Sequence, residues 1–327
     1  MMRRLIHFIA AIAAIVLSTS CTEDVLRLFG CNGGVTFVVQ VPEAPVTKGT
    51  IAAGAVIADG TNVNELHYAV YKTETQIKSL LAQGVVPMQM QEIDGKQVNA
   101  ATLNLNLVKD QDYTLILWAQ VKGAGHYEIG DLREISMKAS VAGNDETRAA
   151  FYAVYPFDTY RKKDHKVTLT RPFAQLNLLT TRESLAPVQP GQTLGYTVDV
   201  KASEVIVNGV ATTFSTLEGK APKSAVKQTF VQAASPEEQG QESLECAGKQ
   251  YHYVSMNYLF VPENEADISV EYKIVTDKGD VSHIVSNVPV KKNHRTNLVG
   301  NLLTSEQSFQ IIIDAGFKDP AEYVIVK

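Results

Sequence analysis

Alternation with a period of two dominates the chain. Leu103, Leu105 and Leu107 are interleaved with Asn104 and Asn106, the pattern of a strand with one face in a core and the other in water. Ile268, Val270, Tyr272 and Ile274 repeat it. Strand-like runs also cover residues 35–41, 113–120, 167–169, 173–179 and 311–313. Within 113–120, Trp118 lies in the unbroken apolar stretch Leu115-Ile-Leu-Trp-Ala119 and reads as part of a buried strand. Asp94-Gly95, Asn208-Gly209 and Lys278-Gly279 punctuate the runs. The first two suit tight hairpins, because Asn, Asp and Gly tolerate positive φ. Helical periodicity is scarce. Residues 73–83 place Ile77, Leu80 and Leu81 on one face with Gly84 as a stop, and residues 145–154 offer a second short helix.

Many short strands and few helices predict a mainly β chain of two tandem antiparallel β-sandwich domains, with one or two short connecting helices. The polar stretch at 158–166 and Pro172 mark a boundary, since Pro cannot donate to a sheet ladder. This gives an amino-terminal sandwich over 49–168, with strand 35–41 packed in it, and a carboxy-terminal sandwich over 169–327. Each is an ordinary domain size.

The amino terminus follows different rules. Arg3 and Arg4 precede an apolar run over residues 5–17, too short for a helix that must cross about 30 Å of hydrocarbon. A basic start, a short apolar core and then Ser18, Thr19 and Ser20 read as a secretory signal over residues 1–20. Cys21 follows at once, in a string that resembles a bacterial lipobox. The expectation is a lipidated Cys21, palmitate-type acylation, and an outer-membrane address with the protein at the cell surface or in a fimbrium. Residues 21–48 would then be a lipidated tether and first strand. Thr22-Glu23-Asp24 resembles a surface-export signal of Bacteroidetes lipoproteins, and a solvated acidic tether fits equally well.

Composition narrows the chemistry. The chain of 327 residues has 30 basic and 35 acidic side chains and a formal charge of −5. Losing Arg3 and Arg4 with the signal leaves 28 basic against 35 acidic residues, a charge of −7. Nothing there marks a nucleic-acid partner. No nucleophile elbow, paired zinc-ligand motif, phosphate loop or dinucleotide fingerprint occurs, so no enzyme, cofactor or metal is expected. Cys31 and Cys246 either pair in an oxidising compartment or remain small hydrophobes. A carbohydrate platform would need exposed rings, for which Tyr251, Tyr253 and Tyr258 are the candidates.

Three stretches together resemble the fimbrillin family of Bacteroidales, the lipoprotein precursors of type V pili. They are Cys21 followed by Val35-Thr-Phe-Val-Val-Gln-Val41, the segment from Val167 to Leu178, and the segment from Val288 to Thr304. The resemblance implies transthyretin-like sandwiches, proteolytic removal of the first strand, and assembly with other pilin-like subunits by strand exchange. Stalk, anchor and tip roles would all be open, with adhesion to a host or bacterial surface receptor as the outcome. The implied processing point is Lys48, in a Pro- and Gly-flanked segment, where the family commonly has Arg; an ordinary solvated lysine fits as well. The implied donor is Glu322, Tyr323, Val324, Ile325, Val326 and Lys327, which an ordinary edge strand also explains. A Cys31–Cys246 bond would hold the first strand in place after cleavage. The alternative is a monomeric surface lipoprotein that binds glycans or acts alone as an adhesin.

Overall fold

A computed structural model describes residues 32–42, 60–73, 79–181, 200–223, 226–232, 243–246, 249–276, 279–303, 309–314 and 323–326. The strands of the first half are β1 (Asn32–Gln40), β2 (Glu65–Lys72), β3 (Ser79–Pro87), β4 (Gln89–Ile93), β5 (Lys96–Val108), β6 (Asp112–Gln120), β7 (Tyr127–Glu128), β8 (Glu134–Met137), β9 (Ser140–Ala142), β10 (Ala150–Asp158) and β11 (Asp164–Thr168). Those of the second half are β12 (Ala174–Thr181), β13 (Val200–Val210), β14 (Thr213–Ser215), β15 (Val226–Gln232), β16 (Ser243–Cys246), β17 (Lys249–Leu259), β18 (Glu265–Thr276), β19 (Val281–Lys291), β20 (Arg295–Gly300), β21 (Phe309–Asp314) and β22 (Tyr323–Val326). The chain is mainly β, as its alternation predicts.

Two four-stranded sheets make the first sandwich, in the orders β11-β1-β5-β4 and β10-β6-β2-β3. Leu103, Leu105 and Leu107 of β5 point into the core between them, while Asn104 and Asn106 face out. The same core takes Val35, Phe37 and Val39 of β1 and Leu115, Leu117 and Ala119 of β6. The intervening residues Ile116 and Trp118 go to a different core. That explains the unbroken apolar run: β6 is buried on both faces. In the second half, the sheets β16-β17-β12-β20-β21-β22 and β19-β18-β13-β15-β9 enclose a core that includes Leu176, Leu178, Val205, Val207, Tyr272 and Leu298.

The third core joins the halves. Tyr71, Trp118 and Tyr152 from the first half meet Phe173, Phe214, Tyr258 and Phe260 from the second. Two short strands also reach across the expected division at 168/169: β8 pairs with β14, and β9 runs parallel to β15. Lys292 Nζ donates to Tyr152 Oη (3.2 Å) and to the Gly219 carbonyl, between the Tyr152 and Phe214 rings. Burial pulls this ammonium below the usual lysine range.

Both expected helices are corrected. Residues 79–83 of the first lie in β3, an edge strand on which Leu80 and Leu81 are each 40% exposed; residues 74–78 lie outside the described residues. Gly84 is not a helix stop. A Cβ there would sit 2.6 Å from Tyr68 Oη, so the glycine lets that side chain cross the strand. The second reduces to one 3-10 turn, Glu146–Arg148, capped by Asp145, whose Oδ1 accepts from Thr147 N at 3.0 Å. Beyond it Phe151, Tyr152 and Val154 extend in β10, where ring-bearing and β-branched side chains pack better than in a helix. Asp94-Gly95 does form the two-residue turn between β4 and β5, with φ of 54° and 77°. Asn208-Gly209 is instead a bulge inside β13, where Gly209 has φ 98° and the register shifts before Val210.

One glycine controls how the first strand ends. Gly60 has φ 75°, and a Cβ on it would lie 2.6 Å from Phe151 and 2.8 Å from Val41 Cγ1. Its carbonyl accepts from the buried Asn99 Nδ2 at 3.0 Å, and the Val63 carbonyl accepts from the same nitrogen at 2.5 Å. Gly60→Ala combines left-handed backbone strain with overpacking, and should lower stability by about 2–4 kcal/mol. Urea unfolding midpoints at an unchanged m-value would check this.

Candidate functional site: the slot of the first strand

Backbone pairing on both sides defines the place of β1. It runs antiparallel to β5, from Asn32 opposite Val108 to Gln40 opposite Ala100. On its other side it runs parallel to β11, from Thr36 beside Asp164 to Gln40 beside Thr168. Backbone bonds flank both ladders: on the β11 side Thr36 N donates to the Lys163 carbonyl (2.7 Å) and Leu169 N to the Gln40 carbonyl (2.8 Å), and on the β5 side Val41 N donates to the Asn99 carbonyl (2.9 Å). Val35, Phe37, Val39 and Val41 all point inward and are buried. Burial of four such side chains is worth about 6–12 kcal/mol before ordering costs. The strand does not fall out of an intact chain. A slot left by its removal would have two open backbone edges above an apolar floor, the surface that another strand satisfies best.

Phe37 is the irregular member of the set. Its ring is 0% exposed. Phe157 meets it edge-on at 4.9 Å, Tyr155 edge-on at 6.1 Å, and His165 lies stacked on it at 4.9 Å with an interplanar angle of 16°. Two hydrogen bonds fix the imidazole: Nε2–H donates to the Lys162 carbonyl (3.1 Å) and Tyr155 Oη–H donates to Nδ1 (3.2 Å). Burial lowers the His165 pKa from its ordinary value; the Lys162 carbonyl opposes that shift, the Lys162 ammonium adds to it, and Asp158 and Asp164 oppose it.

The chain leaves the slot through Val41 and Pro42, and the described chain resumes at Gly60 against Val41. Lys48 falls between them, outside the described residues. So do Cys21, Cys31, Glu322 and Lys327. Cys246 ends β16, but its side chain lies outside the described residues, and so does the expected pairing with Cys31. Tyr323, Val324, Ile325 and Val326 form β22, paired antiparallel to β21 at the edge of its own sheet.

Strand packing, rather than an exposed platform, accounts for the candidate rings that are described. Tyr258 is 1% exposed within the junction core, and Tyr251 is buried there too; the Tyr253 side chain lies outside the described residues. Trp118 is fully buried, with its indole N–H donated to Gln120 Oε1 at 2.9 Å. A groove of about 450 Å³ does lie between β10 and β11, lined by Tyr152, Tyr155, Lys166, Thr168, Thr216 and Glu218 among others. Among the described residues, no group of three His, Cys, Asp or Glu side chains is placed to hold a metal ion.

Sequence reading missed Tyr155, Phe157 and His165. The signal was present in Phe151, Ala153, Tyr155 and Phe157, which alternate along one face. The helix expected over 145–154 obscured it.

The profile of DUF6562, a family of unknown function, matches residues 30–326. No functionally curated protein matches the chain. Solved structures similar to it include a fimbrial assembly protein from Parabacteroides distasonis, at 10% identity over 90% of this chain and 99% of that one, with a TM-score of 0.49. The fimbrial anchor protein Mfa2 from Porphyromonas gingivalis is similar at 12% identity over 88% and 98%, with a TM-score of 0.43.

Two outcomes follow from the slot. Phe37→Ala leaves a cavity among three rings and should cost about 3–5 kcal/mol, read by chemical denaturation. Acid should loosen the strand. An unfolded histidine titrates near pH 6.5, and a folded one held lower makes the unfolded chain the better proton acceptor. The stability that neutral His165 supplies is therefore full above about pH 6.5 and falls as pH drops from there toward its folded pKa. His126 is shifted the same way, also by burial. The excess destabilisation of wild type over His165→Phe, measured between pH 7.5 and 5.5, isolates the contribution of His165.

Proposed function

Because the chain belongs to DUF6562, a family of unknown function, we propose its role from its own geometry: it is a pilus-type surface subunit whose first strand can be replaced by a strand of another subunit. The observation that carries this is the position of β1, paired on both sides and buried along one face, at the start of the chain. A strand so placed leads on to the rest of the described fold through the segment at 43–59 that follows it. With Cys31 and Cys246 unpaired, a single cut there turns a covalent strand into a bound ligand, and a free strand of the same pattern competes for the slot.

In this reading Cys21 carries the lipid that holds the precursor on the outer membrane at the cell surface. Lys48 is the point of cleavage. The strand at Tyr323–Val326 leaves its sheet edge to enter the slot of a second copy. Head-to-tail addition of this kind does not close on itself, so it builds a filament. The work is assembly and adhesion, with no turnover and no cofactor. The burial of Tyr251 and Tyr258 speaks against these two rings as a glycan platform.

Limited trypsin treatment of the chain from residue 21 onward, followed by mass spectrometry and unboiled gel electrophoresis, tests this. Cutting at Lys48 should yield detergent-resistant ladders, and Lys48→Gln or deletion of residues 322–327 should abolish them. Monomers alone after quantitative cleavage, or ladders indifferent to the deletion, would remove the replaceable-strand reading.

A further inference from the structure

Backbone ladders accept any sequence, and an alternating apolar strand can enter a slot in several registers that differ by two residues. Something else must choose among them. The four inward positions of β1 are not equivalent. Phe37 sits opposite Leu103 on β5 and beside His165 on β11, inside the ring cluster of Tyr155, Phe157 and His165. Val39 sits opposite Ala101 and beside Val167, and Val35 opposite Leu105, so their paired neighbours are aliphatic. A slip of two residues would put a phenylalanine where the slot fits a valine, and a valine among three rings. Overpacking at one position then adds to a cavity at the other.

We infer that the Tyr155–Phe157–His165 cluster is a specificity pocket that requires an aromatic side chain at one position of whatever strand fills the slot, and so sets its register. The inference rests on the replaceable-strand reading for its biological use. The occupant it specifies is a second copy of this chain. Tyr323 is the one aromatic residue in the last six positions, and Ile325 follows it at the same interval that separates Val39 from Phe37. In that alignment Tyr323 takes the place of Phe37 and Ile325 that of Val39, and the strand runs in the same direction as β1. A phenol there has an acceptor within the cluster, because Tyr155 Oη keeps acceptor capacity while it donates to His165 Nδ1.

The test uses fluorescent peptides of residues 32–42 added to the chain cut after Lys48, with displacement of the native fragment read by anisotropy. The Phe37 peptide and its F37Y form should compete within about tenfold of each other, and F37A should be at least about 100-fold weaker, the range a large-to-small change at a buried ring gives. A peptide with the ring moved by two positions, F37V with V39F, should be equally weak. If the moved-ring peptide competes as well as the native one, the pocket does not set register and the inference is wrong. If no peptide enters, native included, the strand is not replaceable, and the proposed function fails by itself. The pocket is then judged in the uncut chain by amide exchange of residues 32–40. The F37V/V39F double variant should exchange at least about 100-fold faster there than wild type, while Phe37→Tyr should not; retained protection in the double variant would overturn the inference.

Discussion

A strand held from both sides is the constraint on which the first sandwich depends. With β1 in place, the backbone edges of β5 and β11 that face each other are satisfied and the core between the two sheets is closed. Without it, both edges are open and the floor is apolar. The partners are far apart in sequence: Thr36 pairs with Asp164 only after the rest of the first half has been threaded between them. Such a contact is non-local, and non-local pairings of this kind slow the folding of β domains. On its far side β5 also pairs with β4, whereas β11 has β1 as its one strand neighbour among the described residues.

The layering keeps that site separate from the junction of the two halves. β6 and β10 turn one face to the core under β1 and the other to the aromatic core shared with the second half. The sheet containing β1 is therefore an outer layer, one sheet removed from Phe173, Phe214 and Phe260. The junction is further tied by β8 with β14, β9 with β15, and the Lys292 ammonium beneath Tyr152. These contacts do not involve β1, so they do not depend on what fills the slot.

The strands were legible in the sequence wherever one face met water, because alternation then reports burial directly. Residues 103–107 and 268–274 are such cases. It failed where a glycine had two readings. Gly84 resembles a helix stop but makes room for Tyr68, and Gly209 resembles a hairpin turn but relaxes a bulge beside the Ile268 backbone. It failed again at residues 145–154, where Asp145 does cap a turn that the following ring-bearing residues do not continue. The ring cluster was out of reach for a different reason. Phe37, Tyr155 and His165 come from three strands, and only the pairing of β1 with β11 brings them together.

What distinguishes this slot from a generic sheet edge is the division of labour among its contacts. Hydrogen bonds to β5 and β11 hold any extended chain and carry no sequence information. The apolar floor reads which face of the strand is turned inward, because a one-residue slip would expose every buried side chain. Only a position whose neighbours differ from those on either side can read register, and among the inward residues of β1 that position is Phe37. Affinity, facing and register thus come from three separable sets of atoms. The third set contains a buried histidine whose neutral form is favoured by its surroundings. Register and acid sensitivity therefore share one side chain, and conditions that protonate it loosen the strand at the point where it is most specifically held.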